Sequence, residues 1–256
     1  MGISKLTGTE LRAVVLAAGK GTRLQELDND APKVMREVCG RPLLWYVLEA
    51  LSFIPEKDII IVVGYRKDDI TDRFQGYTYA EQREQLGTGH AVLAAKTALL
   101  DFCGSVLVCY GDMPAIKQDT YKALFRTHIN QGNDCTLLTG ESNLPLPYGR
   151  ILRDQNGSFL HVVEERDCTP EQFMITELNP GVYLFRAEML FGALKELKND
   201  NSQGEYYVTD VPAIMRAGGA KIGICKRDLG NEIVGVNNLE QLIQVGEILE
   251  QRFRTP

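Results

Sequence analysis

The stretch RAVVLAAGKGTRL, residues 12–24, decides the fold. Its first seven residues, RAVVLAA (12–18), are almost continuously apolar, the pattern of a strand covered on both faces. Two glycines, a lysine and an arginine follow directly. The turn fits neither of two familiar phosphate-binding patterns. Gly19, Gly21 and Leu24 leave the third glycine of G-x-G-x-x-G missing, and no Gly-Lys-Ser/Thr closes a P-loop. The physical requirement is still met. Ala17, Ala18, Gly19 and Gly21 let a ligand approach the backbone closely, and exposed N–H groups there bind oxyanions. Lys20, Arg23 and Lys33 of APKV add cationic donors. Taken alone, the turn is equally compatible with a glycine bend carrying solvated charges.

Outward from this strand, strands and helices alternate. RPLLWYVLEALSF (41–53) has helical periodicity, DIIIVVG (58–64) is a second buried strand, and GTGHAVLAAKTALL (87–100) opens a helix behind its glycines. SVLVCYGD (105–112) is a strand, QDTYKALFRTHINQG (118–132) a helix ending at glycine, and DCTLLTG (134–140) a strand. This order predicts an α/β fold, a doubly wound and mostly parallel sheet with right-handed crossovers. Beyond residue 141 the texture changes. YGRILRDQNGSFLHVVEE (148–165) reads as a hairpin around DQNG, ELNPGVYLFR (177–186) as a strand, EMLFGALKEL (188–197) as a helix and KIGICKR (221–227) as a strand. In the last helix, Leu239, Leu242, Ile243, Gly246, Leu249 and Phe253 share one face. The expectation is one domain over 1–256. It comprises an N-terminal extension (1–11), a nucleotide-binding half (about 12–140), a smaller antiparallel lobe (about 141–237) and a C-terminal helix (238–256).

Composition narrows the function. A formal charge of −6 argues against a nucleic-acid partner. No run approaches the roughly 18 apolar residues of a membrane span, and MGISKLTGTE has no apolar signal core, so a cytoplasmic protein is expected. The six cysteines, at 39, 103, 109, 135, 168 and 225, have no metal or redox spacing and read as buried and reduced.

In open α/β sheets ligands bind beyond the carboxyl ends of the strands. LAAGKGTRL, QLGTGHA (85–91) and YGDMP (110–114) fall at such ends. Asp112 can cap a helix or bend a turn. It can equally hold a hard cation, because Mg²⁺ takes one or two carboxylates plus phosphate oxygens. Three histidines and scattered cysteines disfavour zinc. A phosphate turn with a strand-end aspartate suggests a magnesium–nucleotide complex.

As an ordered set, LAAGKGTRL, APKVM, GRPLL, QLGTGHA, YGDMP, YGRILRD, VVEERD, NPGVY, QGEYYVTDV and VGVNN resemble the sugar-phosphate nucleotidylyltransferases. The resemblance spans roughly residues 12–250. It is strongest to the uridylyltransferase domain of the bifunctional N-acetylglucosamine-1-phosphate uridylyltransferase/glucosamine-1-phosphate acetyltransferases. It implies a Rossmann-like fold and a Mg²⁺-dependent transfer of UMP from UTP to a sugar-1-phosphate. By resemblance, the backbone of Leu16, Ala17 and Gly19 holds the nucleotide, Arg23 lies over its phosphates, and Lys33 neutralises the transferring phosphoryl group. Gln82 and the Gly87–Thr88 turn read the base, and Asp112 and Asn237 bind Mg²⁺. Gly149, Glu164 and Asn179 contact the sugar, with Tyr110 and Gly111 between the substrates. Only small-molecule partners are implied, and homo-oligomerisation is left open.

Several alternatives stay open. Gln82 can present its amide either way round, so cytosine competes with uracil. Only one of Glu164 and Glu165 can face a pocket from a strand; Glu164 is preferred, as is Asn237 over Asn238. His90 reads as structural, and QGEYYVTD (203–210) as a packing segment with Tyr206 and Tyr207 buried. Where the family commonly has Asn-Thr-Gly, this chain has Asn179-Pro180-Gly181, which removes a backbone N–H beside the sugar pocket and leaves the sugar open. No hexapeptide β-helix repeats are present, so acetyl transfer is not expected from these residues. The sequence does not decide between a chain of this length and a piece of a longer bifunctional protein. Two other readings compete with uridylyl transfer: a nucleotidylyltransferase for another triphosphate or phosphorylated alcohol, and a non-catalytic nucleotide-sugar-binding domain.

Overall fold

The computed structural model describes residues 10–21, 24, 30–142 and 146–254. The chain opens with β1 (Leu11–Leu16), a short ribbon of β2 (Glu37–Val38) and β3 (Arg41–Pro42), and α1 (Leu43–Ala50). Then come β4 (Ile59–Val63), α2 (Lys67–Thr71), β5 (Thr78–Glu81), α3 (Thr88–Ala94), β6 (Ser105–Tyr110), α4 (Gln118–Gln131) and β7 (Cys135–Glu141). The second half supplies β8 (Gly149–Arg153), β9 (Phe159–Val163), α5 (Pro170–Phe173), β10 (Glu177–Asn179) and β11 (Tyr183–Arg186). It ends with α6 (Ala187–Leu194), α7 (Val211–Ala217), β12 (Ile222–Arg227) and α8 (Leu239–Arg254).

Among the described residues, ten strands form one mixed α/β sheet in the order β5-β4-β1-β6-β11-β7-β10-β8-β9, with β12 also on β7. The β5-β4-β1-β6 half is parallel, and β12 pairs parallel with β7. The antiparallel strands β8 to β11 extend this sheet, and the β2–β3 ribbon forms a small antiparallel sheet of its own. Alternation along β1 explains the three-layer build. Val14 and Leu16 face α3, α6 and α7 through Val92, Leu190 and Val211, while Ala13 and Val15 face α1 and α4 through Leu44, Val47 and Leu124. Each large aliphatic side chain buried this way contributes about 1.5–3 kcal/mol.

One irregularity shapes the site. β10 and β11 are a single chain path broken at Pro180–Val182. β7 runs along one edge of it, pairing with both pieces. On the other edge β6 pairs with β11 and β8 with β10, so β6 and β8 meet end to end. The rungs are missing between Tyr110, which ends β6, and Gly149, which begins β8. Gly181 has φ +77°, and a Cβ there would lie 2.0 Å from Tyr110 Cε2.

Two expectations need correction. In α8 the buried residues are Leu242, Val245 and Leu249, packed on Leu43 and Tyr46; Ile243 (57% exposed) and Phe253 (62%) face outward. The α8 stripe is therefore rotated toward Val245, which the sequence pattern had not included. All six cysteines are free, but only Cys109, Cys135 and Cys225 are buried, while Cys39 and Cys103 are exposed. Among the described residues, no helix is long and apolar enough to cross a membrane.

A buried polar knot joins α4 to the sheet. His128 Nδ1 lies 2.9 Å from Thr136 Oγ1, which also accepts from Asn133 Nδ2 at 3.0 Å. Burial, and then the Arg186 charge, pull the His128 pKa from 6.5 to about 4, with Asp134 opposing. The neutral ring is thus favoured in the fold, and the unfolded chain takes up the proton first as pH falls. This contribution is complete above about pH 6.5 and diminishes by about 3 kcal/mol as pH drops toward 4. Denaturant midpoints measured from pH 7 to 4.5 should fall less steeply for His128→Asn than for the parent; equal slopes would clear His128 of this role.

Candidate active site

The turn after β1 begins where the strand's own hydrogen bonds end. Ala17 N–H donates to Val62 O at 2.9 Å, and the Leu16 carbonyl accepts from Gly111 N–H at 2.9 Å. Gln85 Nε2 donates to Ala18 O at 2.8 Å and holds the turn against the loop after β5. Gly21, at φ +69°, brings the turn against the Lys33 segment, where an added Cβ would stand 2.7 Å from Lys33 Cβ. A first pocket opens over this turn. It is lined by Leu16, Ala17, Ala18, Gly19, Lys33, Val34, Gln82, Gln85, Gly87, Thr88, Ala91, Tyr110, Asp112 and Glu205. Lys20 is exposed and lies over the Tyr65 ring at 5.2 Å. Arg23 lies outside the described residues.

Gln82 is buried, and its Nε2 contacts Gly87 O at 3.0 Å and His90 Nδ1 at 3.1 Å. Thr88 Oγ1 accepts from Val208 N–H at 3.0 Å, and Gly89 N–H donates to Tyr206 O at 2.7 Å. The QGEYYVTD tract therefore does pack the site, with Tyr207 buried and Tyr206 half-buried. It also contributes Glu205 to the first pocket and Thr209 to the second, which the sequence reading missed.

The second pocket occupies the gap between β6 and β8. Tyr110, Asp112, Met113, Pro147, Tyr148, Gly149, Glu164, Asn179, Pro180, Gly181, Thr209, Gly235 and Asn237 line it. Of the paired alternatives, Glu164 rather than Glu165 reaches this pocket. Burial raises the Glu164 pKa above the ordinary carboxylate range; the Thr209 hydroxyl opposes this, and Asp210, Asp167 and Glu165 reinforce it. Asn179 Oδ1 accepts from Gly181 N–H at 3.3 Å and its Nδ2 donates to Tyr183 OH at 2.6 Å, so its side chain braces the strand break. Burial pushes the Tyr110 phenol well up, with the Glu164 charge adding to it, so it stays protonated. Gly111 lines neither pocket; its amide is used in the β1–β6 junction.

The pockets meet at Asp112. Lys33 Nζ forms a short ion pair with Asp112 Oδ2 and donates to Asn237 Oδ1 at 2.7 Å. Residues 79 and 204 positions from Lys33 thus converge on one ammonium. Val236 N–H donates to Asp112 O at 3.0 Å, and Tyr148 OH bridges Ile233 O (2.6 Å) and Gly235 N–H (2.9 Å), which docks the 233–237 strap. Asn238 has a different task. Its Oδ1 accepts from Gln241 N–H at 2.9 Å, while Gln241 Oε1 accepts from Asn237 N–H at 2.7 Å, capping α8. In this structure the position shared by the Asp112 and Asn237 oxygens is filled by the Lys33 ammonium, and a carboxylate and an amide oxygen are donor types that a hard cation also takes. Among the described residues no group of three or more His, Cys, Asp or Glu could hold a metal unaided.

Comparison with known proteins gives the family and the fold. The model of the MobA-like NTP transferase domain matches residues 13–210. Bifunctional protein GlmU of Lactobacillus gasseri is 43% identical over 241 residues, covering 94% of this chain and 52% of that protein. The GlmU protein of Clostridioides difficile is 40% identical over 243 residues, with the same coverage of 94% and 52%. The chain spans about half the length of the curated relatives it matches. A solved structure described as "a Putative Glucose-1-Phosphate Thymidylyltransferase from Bacillus anthracis in Complex with a Sucrose" superimposes with a TM-score of 0.70 at 18% identity, covering 93% of this chain and 95% of that one.

Proposed function

Since this chain belongs to the MobA-like NTP transferase family, we propose that it transfers UMP from UTP to a sugar-1-phosphate, N-acetylglucosamine-1-phosphate, giving a UDP-sugar and pyrophosphate. The observation that carries this reading is the meeting of Lys33, Asp112 and Asn237 where the two pockets join. The resemblance to GlmU supports the choice of uridine and N-acetylglucosamine. The triphosphate would lie over the β1 turn and the sugar phosphate in the gap between β6 and β8.

The chemistry asks little of the protein in proton transfer. An anionic oxygen of the sugar phosphate attacks the α-phosphorus, the bond to the β-phosphate oxygen breaks, and pyrophosphate departs with that electron pair. Positioning two polyanions and stabilising their charge are the dominant tasks. Mg²⁺ held by Asp112 and Asn237 would neutralise charge on the phosphate oxygens. Lys33 contributes a cation at the same seam. Glu164, which lines the second pocket, would accept hydrogen bonds from sugar hydroxyls, and Asn179 would offer only its remaining amide N–H. Tyr110, protonated at any working pH, separates the pockets.

Pyrophosphate release from a panel of nucleoside triphosphates and sugar-1-phosphates with Mg²⁺ tests the reading. UTP with N-acetylglucosamine-1-phosphate should give the highest kcat/KM. A different responding pair would reassign the substrates, and silence across the panel would favour a binding domain.

A further inference from the structure

We propose that His90 is a positioning residue that sets which pyrimidine the first pocket accepts, by locking the Gln82 amide with its oxygen toward the base. The inference rests on the uridylyl-transfer reading. It starts from one unambiguous contact. A carbonyl oxygen can only accept, so the Gln82 amide atom 3.0 Å from Gly87 O must be its nitrogen. The same nitrogen lies 3.1 Å from His90 Nδ1. A primary amide has two N–H bonds, and these two partners use both when His90 carries its proton on Nε2.

Gln82 is only 5% exposed, so the amide is held by protein rather than by solvent. Its oxygen is then the atom left for a ligand in the pocket. An amide fixed in this sense accepts and does not donate. Uracil and thymine both carry a donor at N3, whereas cytosine carries a bare acceptor there. Turning the amide to suit cytosine would set its oxygen against the Gly87 carbonyl oxygen and the His90 Nδ1 lone pair and leave both buried acceptors unpaired, and such sites reject the mismatched ligand strongly. The lock distinguishes N3–H bases from cytosine and is blind to the thymine methyl.

Steady-state kinetics with UTP, TTP and CTP on the whole chain test this. His90→Ala should raise the CTP/UTP ratio of kcat/KM by about fivefold or more, the weight of one hydrogen bond, and leave the TTP/UTP ratio unchanged. His90→Asn places Oδ1 where Nδ1 stood and should restore the parental CTP/UTP ratio. His90→Phe keeps the ring volume without the acceptor and reports the same ratio where His90→Ala folds poorly. An unchanged CTP/UTP ratio, or a uniform loss with all three triphosphates, would overturn the lock. A parent that prefers CTP would overturn it too while leaving nucleotidyl transfer standing. A parent that releases pyrophosphate from no triphosphate would instead overturn the proposed function.

Discussion

Asp112→Ala lowers turnover by on the order of 10²- to 10³-fold while the fold persists. The carboxylate stands at the junction of both pockets, paired with Lys33 and 20% exposed, so it contributes to the site more than to the core. Its backbone carbonyl, which binds Val236 N–H, is untouched by the substitution, so the 233–237 strap stays docked. Removing the side chain deletes one of two oxygens converging on the cation position and leaves the Lys33 ammonium with Asn237 alone. Asp112→Asn should fall in between, because it keeps an acceptor for Lys33 without the charge. The measurements are kcat at saturating substrates and the denaturant midpoint. A Asp112→Ala enzyme with full magnesium-dependent turnover would remove the metal role, and an unfolded one would make the residue structural.

Gly181→Ala has the largest expected effect on stability, a loss of about 2–5 kcal/mol. The left-handed backbone costs an L-residue about 1–2 kcal/mol, and overpacking adds about 1–3 kcal/mol. The methyl would overlap the Tyr110 ring, which is half-buried between the pockets, and Leu138 N–H depends on the adjoining Val182 carbonyl at 2.9 Å. Activity should fall with stability, since relief requires Tyr110 to enter the space of one substrate. Urea unfolding reads the loss directly, and a midpoint within error of the parent would show that the strand break relaxes freely.

Much of the parallel half was legible because buried strands are nearly all apolar and its helices are bounded by glycine and proline. RAVVLAA and SVLVCYGD became the adjacent pair β1 and β6, and Gly132 ends α4 in the left-handed conformation that its residue type favours. Three features were not legible, each for its own reason. The place of β12 beside β7, across more than eighty residues of chain, is a tertiary choice that no local pattern encodes. The face of α8 was not legible because it packs on α1 and the β2–β3 ribbon rather than on the main sheet, so apolar spacing alone could not choose between Val245 and Ile243. The orientation of Gln82 depends on a carbonyl five residues away that is aimed only by the folded loop. The division of labour between Asn237 and Asn238 did leave a trace. Asn238 followed three residues later by Gln241 is a helix-start signature, and reading it as a cap leaves Asn237 for the site.

The split pairing of residues 177–186 separates two demands that usually compete. One edge of this path is bonded along β7 and secures the scaffold; the other, bare for three residues, faces the second pocket, the proposed seat of the sugar phosphate. Of the residues on that side, Glu164 and Pro180 can therefore be exchanged without disturbing the β7 seam, whereas Tyr148, Gly149, Asn179 and Gly181 are tied into the strap, the β8–β9 packing and the strand break. Recognition in this molecule is modular at the scale of a single strand, and redesign of acceptor choice can proceed on one side of that strand while the other is left alone.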